Sequence, residues 1–272
     1  FEKFMLVLNV GGVIDLSELG DVKNILLLSQ LGVETGYALA DILLGKIYPS
    51  GKLTTSWAEP CSYSHLDFGN KDDTRYKEGI YVGYRYFDVM GIEPLYPFGF
   101  GLGYTDFQIN NTVVTAEKTE IHIKATVSNM GNYKGKEVVQ AYISAPNGNL
   151  DKPRCELCAF KKTKELLPCE SDFAELEFDL RDMCSYDEKR EAYVLEKGEY
   201  ILYIGTSLKN KSPVAKLNLD GDVFVFKVKN LCGPYDFKDF APKNIERAAV
   251  KDKIPVINIS ASDFYEKSVD YC

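Results

Sequence analysis

The sequence predicts an α/β remnant followed by an all-β sandwich, and three observations predict it. The first part carries two continuous apolar runs, 4–14 and 24–31, and then one segment with helical spacing. After Thr105 the chain turns to short segments that alternate apolar and polar residues. Between them, 61–104 is dense in aromatic residues and glycine and has neither period.

Residues 4–14, FMLVLNVGGVI, are apolar almost throughout and run onto Gly11-Gly12. A strand apolar on both faces is one covered on both faces, the situation of α/β folds. NILLLSQL at 24–31 repeats that signature. In VETGYALADILLGKIYPSGKL, Ala38, Leu39, Ile42 and Leu43 recur at helical spacing, Gly45 is placed to end the helix, and Pro49-Ser50-Gly51 turns the chain. About two strands and one helix are too little for an independent α/β domain, so residues 1–60 read as the C-terminal part of one. The start lacks the basic segment and small-residue cleavage site of a signal peptide, and a chain opening on a buried-type strand is expected to have lost something in front of it. Residues 61–104 read as an interdomain connector whose aromatics pack on neighbouring domains, because a free linker would be polar. EIHIKATVSNMG, GKEVVQAYISAP, SDFAELEFDL, GEYILYIGTS and VFVFKVK carry period two, which predicts a β-sandwich over 105–232. Residues 233–272 follow neither pattern and read as a strap on the sandwich or a linker to a further domain.

The 272 residues carry a net charge of -8, which argues against a nucleic-acid partner because phosphate binding needs a basic surface. No run approaches the ~20 apolar residues of a membrane-spanning helix. The seven cysteines are odd in number and hold a single CxxC, Cys155–Cys158, in a strand-like run. With only His65 and His122 to complete a site, no metal and no cofactor is expected. Free thiols predict a reducing compartment, the cytoplasm.

Ala38–Gly45 with Tyr48–Leu53, then YKEGIYVGYRYFD (76–88), LYPFGFGLGYTDF (95–107), VSNMGNYKGKEVVQAYISAP (127–146), CAFKKTKELLPCESDFAELEF (158–178) and EKGEYILYIGTS (196–207), resemble glycoside hydrolase family 3 in family order. The resemblance covers about residues 4–207. It implies the end of that family's α/β sandwich domain followed by an all-β fibronectin type III-like (immunoglobulin-like) sandwich. It further implies part of a retaining enzyme, β-glucosidase-like, that releases a non-reducing-end β-linked sugar, glucose foremost, from a β-glucoside or related oligosaccharide. The family's Asp nucleophile lies in a separate barrel domain and its acid/base Glu upstream of FMLVLNVGG, so both catalytic carboxylates are expected outside this segment. A barrel domain or partner chain is implied as neighbour, and in a minority of members the barrel follows the sandwich-like module. The competing reading is a non-catalytic carbohydrate- or partner-binding β-sandwich module.

Within the connector, Asp67, Tyr76, Glu78 and Arg85 are the candidate substrate-binding residues. Glu78 lies in an aromatic, glycine-rich surrounding that could raise a carboxyl pKa, yet an ion pair with Arg85 or a capped loop accounts for it as well. Tyr76, Tyr81, Tyr84, Tyr86 and Phe87 either stack on sugar or cement the domain junction, and Trp57 reads as a packing residue. His65 and Asp67 share a polar loop. His122 alternates with Ile121 and Ile123 and is expected on the exposed face of a strand. Gly99, Gly101 and Gly103 echo a phosphate loop, but no helix pattern follows them, so they read as turns between packed aromatics. The clusters Lys161-Lys162 and 187–191 read as solvated turns.

Overall fold

The computed structural model describes residues 4–63, 72–231, 236–242, 245, 247, 250 and 253–264. Near the start, strands β1 (Leu6–Leu8) and β2 (Ile25–Leu27) pair in parallel, Leu6 opposite Ile25. Helix α1 (Thr35–Leu43) ends as its glycine predicts. Gly45, at φ +70, donates to the Ile42 carbonyl while Lys46 donates to that of Asp41, which satisfies two carbonyls the helix would otherwise leave open. None of the α1 residues is buried. Within it Tyr37 is 74% exposed and Leu43 52%, and Leu44 at its C-terminal cap is 70% exposed, so apolar side chains of the helix stand uncovered.

The all-β part comprises β3 (Phe107–Glu117), β4 (Glu120–Asn129), β5 (Val138–Ser144), β6 (Glu156–Lys162), β7 (Ser171–Asp179), β8 (Ser185–Asp187), β9 (Ala192–Leu195), β10 (Gly198–Gly205), β11 (Lys211–Leu219), β12 (Val223–Lys227) and β13 (Val256–Ile259). One sheet runs β3-β4-β7, a second β13-β11-β10-β5-β6, and a small third β12-β9-β8. On β4 the period of two is plain: Ile121, Ile123, Ala125 and Val127 are buried, while His122 and Lys124 face outward. Val139, Ala141 and Ile143 of β5 and Tyr200, Leu202 and Ile204 of β10 share that core. Cys158 packs against it too, at a bulge where β6 slips one residue against β5.

Strand β5 is buried on both faces after Val138. Its second face is covered by the connector, which forms a third layer. The Gln140 amide donates to the carbonyls of Gly99 (3.1 Å) and Thr206 (2.7 Å), the Tyr142 hydroxyl donates to Gln140 Oε1 (2.5 Å), and the Tyr142 ring meets Phe98 edge-on. That cover explains why the connector is aromatic. It is not irregular throughout, however: Tyr84–Met90 form helix α2. A seven-residue helix is marginal in isolation. Here Gly83 (φ +59) and Gly91 (φ +65) bracket it, and burial of Tyr86 and Phe87 beside Tyr81 and Ala58 holds it.

The joint between the two parts is close-fitting. Tyr48 lies against Gly103 and Gly135, and a Cβ on Gly103 would fall 1.6 Å from the Tyr48 hydroxyl. Lys52 Nζ meets Glu137 Oε1 at 2.8 Å and donates to the Gly101 carbonyl. The glycines of PFGFGLG thus admit a neighbouring backbone and a ring, as packed turns would. After β12 the chain returns as a strap. Its strand β13 lies parallel to β11, Lys216 opposite Val256, and Phe264 enters the main core.

Candidate functional site

The connector turn 75–83 is built by two left-handed glycines, Gly79 (φ +55) and Gly83, with the Tyr81 N–H donating to the Glu78 carbonyl. This geometry points Tyr81 inward, 1% exposed, and leaves Tyr76 77% exposed beside Ile80 and Val82. Glu78 is partly exposed on the same turn. Tyr76 thus stands outward on this turn, and Glu78 keeps part of its surface open two residues on. Arg85 does not join them: its Nη2 reaches Glu156 Oε1 of β6 at 2.8 Å, and its guanidinium lies over the Tyr84 ring. The expected Glu78–Arg85 pair gives way because α2 turns Arg85 toward the sandwich. Asp67, like His65, lies outside the described residues.

A cleft of about 270 Å³ opens where α2 meets the sandwich, floored by Tyr84, Phe87, Ile92 and Leu208. Two acid–base pairs cross it. Asp88 Oδ1 faces Arg154 Nη1 at 3.5 Å, and Arg154 Nη1 donates to the Asp88 carbonyl at 2.6 Å. Glu93 pairs with Lys209 at the mouth. Both acids come from the connector and both bases from the sandwich, so the pairs sew the layers together. Asp88 and Arg154 were not legible as partners, since 66 residues separate them. Asp88 Oδ2 and the Nε atoms of Arg85 and Arg154 are buried without a hydrogen-bond partner.

Among the described residues, the carboxyl groups whose pKa is clearly displaced are displaced downward. Glu196 is the most enclosed. Burial is the largest influence and raises its pKa, but the Lys152 ammonium and the N–H groups of Asn149 and Leu150 together outweigh it. A general acid needs the opposite shift. Burial pushes the Cys155 thiol up to about 12, which leaves it inert. Among the described residues, no group of three or more His, Cys, Asp or Glu could hold a metal ion. No described helix is long and apolar enough to cross a membrane. Trp57 is buried and bridges to Tyr96, a packing role. His122 stands on the outer face of β4 between Glu120 and Glu177, at 4.0 and 3.9 Å.

Residues 1–104 match the glycosyl hydrolase family 3 C-terminal domain, and residues 137–208 match a fibronectin type III-like domain. Beta-glucosidase A of Butyrivibrio fibrisolvens is 39% identical over 238 residues, covering 77% of this chain and 29% of that protein. The crystal structure of a beta-glucosidase from Paenibacillus barengoltzii superposes with a TM-score of 0.78 at 35% identity, covering 85% of this chain and 27% of that one. Beta-glucosidase 3B from Thermotoga neapolitana, solved in complex with glucose, gives a TM-score of 0.70 at 40% identity, covering 77% and 30%. The chain belongs to glycoside hydrolase family 3. It spans less than a third of the length of each of these relatives.

Proposed function

We propose that this chain is part of a retaining β-glucosidase-type enzyme that releases a non-reducing-end β-linked sugar, glucose foremost, from a β-glucoside or related oligosaccharide. Its own contribution is scaffold, together with one wall of the sugar site formed by Tyr76 and Glu78. The observation that carries the reading is the uncovered face of α1 in a chain so similar to β-glucosidases. An apolar helix with no buried residue asks for the remainder of an α/β sandwich domain, and with it the barrel domain, as cover. A self-sufficient binding module would have no use for that face. The two carboxylates of retaining chemistry, about 5–5.5 Å apart, then lie on those other parts. Five free thiols among the described cysteines support a reducing compartment, the cytoplasm, as the place of action.

The test is hydrolysis of an aryl β-glucoside by the full-length protein and by this chain alone. The full-length protein releases β-glucose first, and the chain alone shows no turnover. Turnover by the 272 residues alone overturns the assignment of the carboxylates.

A further inference from the structure

The strap contacts the turn that carries Tyr76 and Glu78. The Phe240 N–H donates to the Lys77 carbonyl at 2.6 Å. Its ring packs edge-on against Tyr81 (5.7 Å between centroids) and Tyr86 (5.4 Å). One residue earlier, Asp239 lies so near Gly79 that a Cβ there would meet Asp239 Oδ2 at 3.4 Å. Asp236 faces Arg75 at 3.5 Å. Successive strap residues thus engage both the backbone and the inward side chain of the turn.

Further along, the strap is fastened to the sandwich. Arg247 Nε donates to Asn147 Oδ1 (2.8 Å), and its Nη1 donates to Ser144 Oγ (3.0 Å) and to the carbonyls of Arg154 (3.2 Å) and Pro153 (3.3 Å). Strand β13 then adds to β11, and the Asp220 carboxylate accepts from the Ala261 N–H and the Ser260 hydroxyl. One end of the strap is therefore fastened to the sandwich, and the other grips the turn. Neither matched domain, 1–104 or 137–208, includes it.

We infer that the strap is a positioning element for the sugar-site wall, with Phe240 its positioning residue. Phe240 fixes Tyr81 from inside and Lys77 along the backbone, and so sets the outward presentation of Tyr76 and Glu78. This rests on the reading of Tyr76 and Glu78 as sugar-site wall. A wall residue that is not held costs binding before it costs chemistry, because the reacting groups are elsewhere.

The experiment compares Phe240→Ala, Phe240→Leu and Tyr76→Ala in the full-length protein. Hydrogen exchange over 75–83 is measured beside KM and kcat for an aryl β-glucoside. Phe240→Ala is expected to speed exchange of the turn about tenfold and raise KM about fivefold, with kcat within about twofold. Both substitutions keep the backbone N–H that the Lys77 carbonyl accepts; Phe240→Leu also keeps an apolar plug, recovers most of both effects and serves where the alanine variant fails to fold. Unchanged exchange in both Phe240 variants overturns the inference. Faster exchange with unmoved KM overturns it too, and Tyr76→Ala then says where the error lies. If Tyr76→Ala raises KM, the strap was misread; if it does not, the wall reading itself fails.

Discussion

Glu196→Gln isolates one buried charge. Glu196 is 5% exposed and Lys152 4%. The carboxylate accepts from Lys152 and from the N–H groups of Asn149 (2.7 Å) and Leu150 (3.2 Å). Gly148 lies close enough that a Cβ would fall 2.1 Å from Oε2, so the loop is moulded on this side chain. Glutamine keeps the shape and one acceptor oxygen but strands the Lys152 ammonium. Breaking one partner of a buried pair costs about 3–5 kcal/mol. For a domain of this size each kcal/mol moves Tm by about 2–4 °C, so a loss near ~4 kcal/mol lowers Tm by about 8–16 °C. Calorimetry or circular dichroism reads this directly. Lys152→Met with Glu196→Gln removes the stranded charge and recovers at least about half of the loss. The sign of the pH effect follows from the depressed folded-state pKa. The contribution is present above the ordinary Glu value of 4.5 and is lost as pH falls through the folded value. Stability should therefore fall off below pH 4.5, less steeply in Glu196→Gln. A Tm drop under about 2 °C, or a double variant as unstable as the sum of the singles, refutes the reasoning.

Gly103→Ala drives a methyl into Tyr48 and should destabilise the joint by about 2–3 kcal/mol, with Tyr48→Leu in the same chain relieving part of it in thermal melts. Asp179, although burial is the largest influence and raises its pKa, is held below 3.8 overall by Arg181 and Thr119. Its contribution likewise disappears as pH falls below that range, so Asp179→Asn should flatten the acid limb of the Tm profile. Exposed Cys61 and Cys169 should react with an aromatic disulfide reagent in the native protein, whereas Cys155 should label only with unfolding. Prompt native labelling of Cys155 would contradict its burial.

Much of this fold was legible because local pattern and burial agree. Strand β4 reads as a strand with its inward face already marked, since Ile121, Ile123, Ala125 and Val127 alternate with polar neighbours. Helix α1 announced its own end through Gly45. Helix α2 was not legible as a helix, because YRYFDVM is only seven residues long and sits among loop residues. The bracket of Gly83 and Gly91 was the available signal. The candidate site was legible only in part: the turn carrying Tyr76 and Glu78 was visible as a motif, but the direction of Arg85 depends on α2. The Asp88–Arg154 contact joins residues whose proximity is set by packing alone.

The composition of the connector follows from strand β5. A sandwich strand normally needs one apolar face, and the other meets water. In VVQAYIS both faces are buried, so something must cover Gln140 and Tyr142 and satisfy their polar atoms. The Gly99 carbonyl and the Phe98 ring do this, and they can approach because glycine stands at 99: a Cβ there would lie 2.1 Å from Gln140 Oε1. The aromatic density of 61–104 is thus the third layer of the sandwich rather than a linker's decoration. A connector fixed this way transmits the position of α1 to the sandwich with little play.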